Sequence, residues 1–61
     1  MKNIKLTDAR NKAGLTQVEV AKKAGISWRA YQDYEYGKRE PGVRTAIRIA
    51  HALKSTVEKL F

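Results

Sequence analysis

Gly14, Gly25, Gly37 and the Pro41-Gly42 pair cut the chain into stretches too short for any long element. Within each stretch apolar residues recur three and four apart, and none has the β-branched alternation of a strand. The expected fold class is all-α, a compact bundle of five short helices. The first is expected from about Asn3 to Ala13, with Leu6, Ala9 and Ala13 on one side and Gly14 as its stop. Thr16-Gln17-Val18-Glu19 reads as a capping box, in which Thr16 accepts from the Glu19 amide and the Glu19 carboxylate reaches back. A second helix then covers about Gln17 to Ala24, with Val20, Ala21 and Ala24 inward.

Gly25 breaks that helix after two turns, and Ser27 is a good N-cap for a third, from about Trp28 to Tyr36. Tyr31 and Tyr34 lie three apart and share a face, and both are read as core with their hydroxyls at its edge. After the loop Lys38-Arg39-Glu40-Pro41-Gly42, a fourth helix spans Val43 to Leu53. Its apolar stripe is Val43, Ala46, Ile47, Ala50 and Leu53. Lys54 stands where a left-handed turn would suit Gly or Asn better, which predicts a strained or a looser corner. Ser55-Thr56-Val57-Glu58 reads as a second capping box, opening a last short helix with Val57, Leu60 and Phe61.

The 61 residues make one domain, 1–61. A chain this short buries only about 60% of its unfolded surface, so its stability is marginal. There is no cysteine, which excludes disulfides and thiolate metal sites, and the lone His51 has no ligand set around it. Helix packing, helped by dimerisation, is left to hold the fold. No apolar run approaches the roughly 18 residues of a membrane span. The polar start MKNIKLTDARNK lacks a signal peptide's apolar stretch. A cytoplasmic, whole mature chain is the expectation. No nucleophile–base set, phosphate-cradling glycine loop or metal cluster is present, so neither enzyme activity nor a cofactor is expected.

The formal net charge of +7 favours a polyanionic partner, nucleic acid or an acidic membrane surface. The second and third helices discriminate between them. Two short helices joined by a tight turn at Gly25 match a helix-turn-helix unit, with Ala21, Ala24 and Gly25 lining the corner and Ile26 plugging it. In such a unit the second helix lies in the DNA major groove and its N-terminal residues meet base edges.

The wider pattern closely resembles the phage repressor and Cro family, the XRE-type regulators with a lambda-repressor-like domain. The resemblance is carried by Ala13-Gly14-Leu15-Thr16-Gln17, Val20-Ala21 and Ala24-Gly25-Ile26-Ser27. It continues through Tyr34-Glu35-Tyr36-Gly37-Lys38-Arg39-Glu40-Pro41 and Ile49-Ala50-His51-Ala52-Leu53, so that it spans about Ile4 to Phe61. It implies that Gln17 binds a DNA phosphate at a helix N-terminus, where free amides favour an anion. It places base-reading residues at Trp28, Arg29 and Asp33, with Gln32 adjoining them. Arg29 suits guanine O6 and N7, and Gln32 suits adenine. Asp33 suits cytosine N4, or else orients Arg29 across an i, i+4 spacing. Trp28 departs from the polar residue common at its place. Packing on thymine methyls or a sugar edge, and a role as a protein-contact anchor, are both open to it.

Lys38, Arg39 and Arg44 are expected on phosphates, with Ser27 as a further candidate beside its capping role. Arg10 and Glu35 match a pair the family often carries between the first helix and the end of the third, and are read as scaffold. Family operators are usually near-palindromes bound by dimers, with half-sites about 34 Å apart. Val57, Leu60 and Phe61 are the candidate homodimer contact. A repressor encoded by a bacterium, phage or mobile element and acting at the nucleoid is the reading that follows, with no small-molecule effector evident. An antitoxin-type autoregulator, a protein-interaction module on the same fold and a basic membrane binder are the rivals.

Overall fold

Local caps start almost every helix. The computed structural model describes residues 1–61 and contains α1 (Ile4–Lys12), α2 (Gln17–Ala24), α3 (Trp28–Tyr36), α4 (Val43–Ala52) and α5 (Val57–Leu60). Asn3, Thr16, Ser27 and Thr56 each accept a hydrogen bond from an amide in the first turn, while Gly42 starts α4 with no side-chain cap. Thr16 and Glu19 form the expected reciprocal box, with Thr16 N donating to Glu19 Oε1 at 2.8 Å and Glu19 N to Thr16 Oγ1 at 3.1 Å. The second box does not form. The cap of α5 is Thr56, which puts Lys59 where the box needs a carboxylate. Ser55 instead ends α4, its amide donating to Ala50 O at 2.8 Å.

That ending is the crossed pair of bonds that also closes α2. Ile26 N donates to Ala21 O at 3.0 Å and Gly25 N to Lys22 O at 3.2 Å, with Gly25 left-handed at φ +70. A residue without a Cβ takes this conformation with little strain. At the end of α4 the same geometry falls on Lys54, at φ +52, as its place in the sequence suggests. At the end of α3 glycine is needed for a second reason: the Met1 backbone lies against Gly37 where a Cβ would stand.

The helices close around Leu6, Val20, Ala21, Ala24, Tyr31, Ile49, Ala50, Leu53 and Leu60, with Ala9, Leu15, Ile26, Tyr34, Ala52 and Val57 packed on the margin. α2 packs on α3 and α4, and α1 packs on α3 and α5. The small buried faces of α2 (Ala21, Ala24) and α4 (Ala46, Ala50) allow those two to approach closely. Burying a side chain such as Leu6, Val20, Ile49 or Leu60 contributes about 1.5–3 kcal/mol each. Asn3 ties the chain ends into this core. Its amide donates to Glu35 O at 2.8 Å and its side-chain nitrogen to Leu60 O at 2.8 Å, while its oxygen caps α1.

Three expectations about the core change. Ala13 is exposed, because α1 ends before it can turn inward. On α4, Ile49 is buried while Val43 and Ile47 face outward. Tyr31 is wholly buried and its hydroxyl reaches no protein partner, so only Tyr34 sits at the edge as read.

Candidate nucleic-acid interface

The Gly25 corner sets α3 across α2 so that one side of α3 enters the core and the other is open. Tyr31 and Glu35, four apart, form the inner side. Glu35 is the only buried charged residue, 3% exposed, and Arg10 meets it. Arg10 Nε donates to Glu35 Oε2 at 2.7 Å and its Nη2 to Oε1 at 3.4 Å, while Nη1 holds Leu15 O at 3.0 Å. Thr7 Oγ1 lies 3.0 Å from the same carboxylate. Burial pushes the Glu35 carboxyl up, but the hydrogen bonds from Arg10 and Gln17 outweigh it and hold it below the usual range. The hydrogen bond to Glu35 in turn raises Arg10. Burial, and then the neighbouring Glu35 carboxylate, raise the Tyr31 phenol far above its ordinary value, so it stays neutral. The expected Arg10–Glu35 scaffold pair is therefore brought together.

Gln17 extends the network to the open side. Its Nε2 donates to Glu35 Oε1 at 3.1 Å, and its Oε1 accepts from Trp28 Nε1 and Gln32 Nε2, each at 3.4 Å. Both ends of the Gln17 amide are thus engaged with α3. Trp28 and Gln32 are one turn apart on α3, so a single acceptor reaches both. The i, i+4 spacing of Trp28 and Gln32 hinted at a shared neighbour. Nothing in the sequence showed that Gln17 would be that neighbour, or that Thr7 would join Glu35.

Trp28 is 51% exposed, and Arg29 beside it is exposed and makes no ion pair. Asp33 does not orient Arg29. Its Oδ2 lies 3.3 Å from Arg39 Nε, and the Arg39 guanidinium sits over the Tyr34 ring, 5.5 Å from its centre. Arg39, expected on phosphate, is therefore held against α3. Lys38 and Arg44 are exposed. Ser27 Oγ accepts from Ala30 N at 3.1 Å, which leaves its O–H free to donate outward. An open cleft of about 500 Å³ lies between the end of α1, the start of α2 and Trp28, bordered by Arg10, Thr16 and Gln17.

On α4 and at the C-terminus, Val43 is 76% exposed, and Ile47 and Phe61 are open as well. Val43 and Phe61, with Pro41 and the half-buried Val57, line a groove of about 210 Å³. Leu60 is corrected as a contact residue: it is 1% exposed and belongs to the core. No helix is long and apolar enough to cross a membrane.

These features agree with what the chain resembles. The helix-turn-helix family model matches residues 6–60. A transcriptional regulator of Archaeoglobus fulgidus is 37% identical over 57 residues, covering 93% of this chain and 81% of that protein. The transcriptional repressor RstR of the cryptic phage CTXphi of Vibrio cholerae is 32% identical over 56 residues, covering 92% of this chain and 50% of its own length. The restriction-modification controller protein C.AhdI of Aeromonas hydrophila superposes with a TM-score of 0.90 at 25% identity, covering 97% of this chain and 89% of that one. The chain belongs to the helix-turn-helix family of transcriptional regulators, of the Cro and C1 repressor type.

Proposed function

We propose that this chain is a repressor that binds a near-palindromic operator in double-stranded DNA as a homodimer, with the N-terminal half of α3 in the major groove. The observation that carries this reading is the asymmetry of α3. Its back is fixed to α1 through Glu35 and Arg10, while Trp28 and Arg29 stand open at its tip. A rigidly held helix with an exposed, cationic leading end is the geometry that base readout requires. Arg29 has all its guanidinium donors available for guanine. Gln32 and Asp33 read further along the helix, each with one polar atom left unengaged by its partner. Gln17, Ser27, Lys38, Arg39 and Arg44 position the protein on phosphates, Gln17 through the free amides at the start of α2 because its side chain is engaged, and Arg39 through the guanidinium nitrogens that Asp33 leaves unpaired.

The homodimer is formed through the exposed Val43, Ile47 and Phe61, with the half-buried Val57 beside them. An isologous contact there sets two recognition helices about one turn of DNA apart, about 34 Å. Selection of bound duplexes from a random pool at moderate salt, followed by sequencing, tests the reading. A short inverted repeat is the expected product. Unenriched DNA would instead make this a nonspecific binder, or a fold used for protein contacts.

A further inference from the structure

We infer that Trp28 makes the protein a reader of the pyrimidine C5-methyl group, so that each half-site carries a thymine that 5-methylcytosine can replace and uracil cannot. The inference rests on the DNA-binding reading above and names what one position of that site recognises.

The orientation of the Gln17 amide decides the matter. Glu35, ion-paired with Arg10 at 2.7 Å, is ionised and can only accept hydrogen bonds. The Gln17 nitrogen must therefore face Glu35, where it donates at 3.1 Å. That leaves the Gln17 oxygen facing α3, where two donors meet it, Trp28 Nε1 and Gln32 Nε2. The indole N–H is the only polar group a tryptophan side chain owns. Here it is turned back onto the protein. Trp28 remains 51% exposed while its one polar side-chain atom already has a partner, so what it offers to a ligand is the hydrocarbon of its ring.

A ring with no free donor or acceptor cannot read the polar base edges. Among the groups displayed in the major groove, the thymine methyl is the apolar one. Trp28 is the first residue of α3, at the end of the helix that meets bases first. Its neighbour Arg29 is free for guanine, so the tip joins one apolar reader to one polar reader. A cytosine methylated at C5 offers the same methyl at the same place in the groove.

The test uses the full chain, the operator recovered by selection and a scrambled duplex of equal length, with affinities read by fluorescence anisotropy. Each half-site thymine is replaced in turn by deoxyuridine, which removes the methyl and keeps the base pair. The critical thymine–adenine pair is also replaced by cytosine–guanine with and without the 5-methyl. Loss of one buried methyl is expected to weaken binding about fourfold per half-site, and about 15-fold when both half-sites are changed. Methylated cytosine should recover a comparable factor over plain cytosine. Trp28→Ala, checked for helicity by circular dichroism, should bind the thymine operator about as weakly as the unaltered chain binds the uracil one, and bind thymine and uracil operators alike.

Equal binding of thymine and uracil operators by the unaltered chain, with operator still preferred over scrambled DNA, overturns the inference while leaving the DNA-binding reading intact. So does a selected half-site without thymine, or a Trp28→Ala variant that still discriminates. No preference for any duplex overturns both.

Discussion

Arg10 Nε lies 2.7 Å from Glu35 Oε2 and joins α1 to α3 across 25 positions of sequence. Glu35 is 3% exposed and Arg10 16%, so a lone survivor of the pair would remain an uncompensated buried charge. Arg10→Met is expected to cost about 3 kcal/mol, the lower end for a broken buried pair because Arg10 keeps some solvent. Urea unfolding measures it. A loss below about 1 kcal/mol, the range of surface pairs, would show that the contact does not brace α3.

The same carboxylate predicts an acid limb. Burial raises the Glu35 pKa, but bonds from Arg10 and Gln17 bring the net value below its unfolded one. Its stabilisation is thus fully present above the unfolded carboxylate pKa and is lost as pH falls through the folded one. The thermal midpoint should be level near neutral pH and fall progressively below about pH 4.5. A midpoint unchanged down to pH 3 would remove Glu35 as a contributor.

Tyr31 separates ring from hydroxyl. The ring fills the core, whereas the hydroxyl is buried with no protein partner. Tyr31→Phe removes an unsatisfied polar group and should change stability by less than about 1 kcal/mol, in either direction. Tyr31→Ala leaves a cavity and should cost about 3–5 kcal/mol. A large loss from Tyr31→Phe would mean that the hydroxyl has a stabilising role.

Lys54 carries the left-handed turn that glycine serves at the ends of α1, α2 and α3. A side chain in that conformation costs about 1–2 kcal/mol, and glycine's extra freedom in the unfolded chain cancels part of the relief. Lys54→Gly should therefore stabilise by about 0.5–1 kcal/mol, seen as a higher urea midpoint with unchanged slope. A lower midpoint would mean that the lysine side chain does more for the fold than its backbone strain costs.

Arg29 and Lys38 should differ in kind. Both are exposed, but Arg29 lies at the tip of α3 and Lys38 in the loop beyond it. Arg29→Ala is expected to cost about 1–3 kcal/mol on the operator and to relax preference at one position. Lys38→Ala should weaken all duplexes alike and lower the salt slope by about one. Competition between operator and random duplex over a salt series distinguishes them; equal losses on every duplex for Arg29→Ala would assign that residue to the backbone.

The sequence by itself determined the helices and the corner. Caps and stops at Asn3, Thr16, Ser27, Gly25 and Gly37 act on amides and carbonyls within a turn, so they are written in neighbouring residues. Where two adjacent signals competed, as for Ser55 and Thr56, the chain used one to end α4 and the other to begin α5. The Arg10–Glu35 pair was expected through family resemblance, since no local spacing links residues so far apart.

Tertiary structure alone decided which of the large apolar residues of α4 turned inward. Ala46, Ala50 and Leu53 are buried as their spacing suggests, but packing against the small residues of α2 chose Ile49 and left Val43 and Ile47 outside. It also drew Leu60 into the core, paired Asp33 with Arg39, and set Gln17 between Glu35 and Trp28. Each outcome depends on how one helix is rotated and placed against another. Periodicity fixes the spacing of side chains along a helix, but only the packed neighbours determine which side of it is covered and which polar atoms meet.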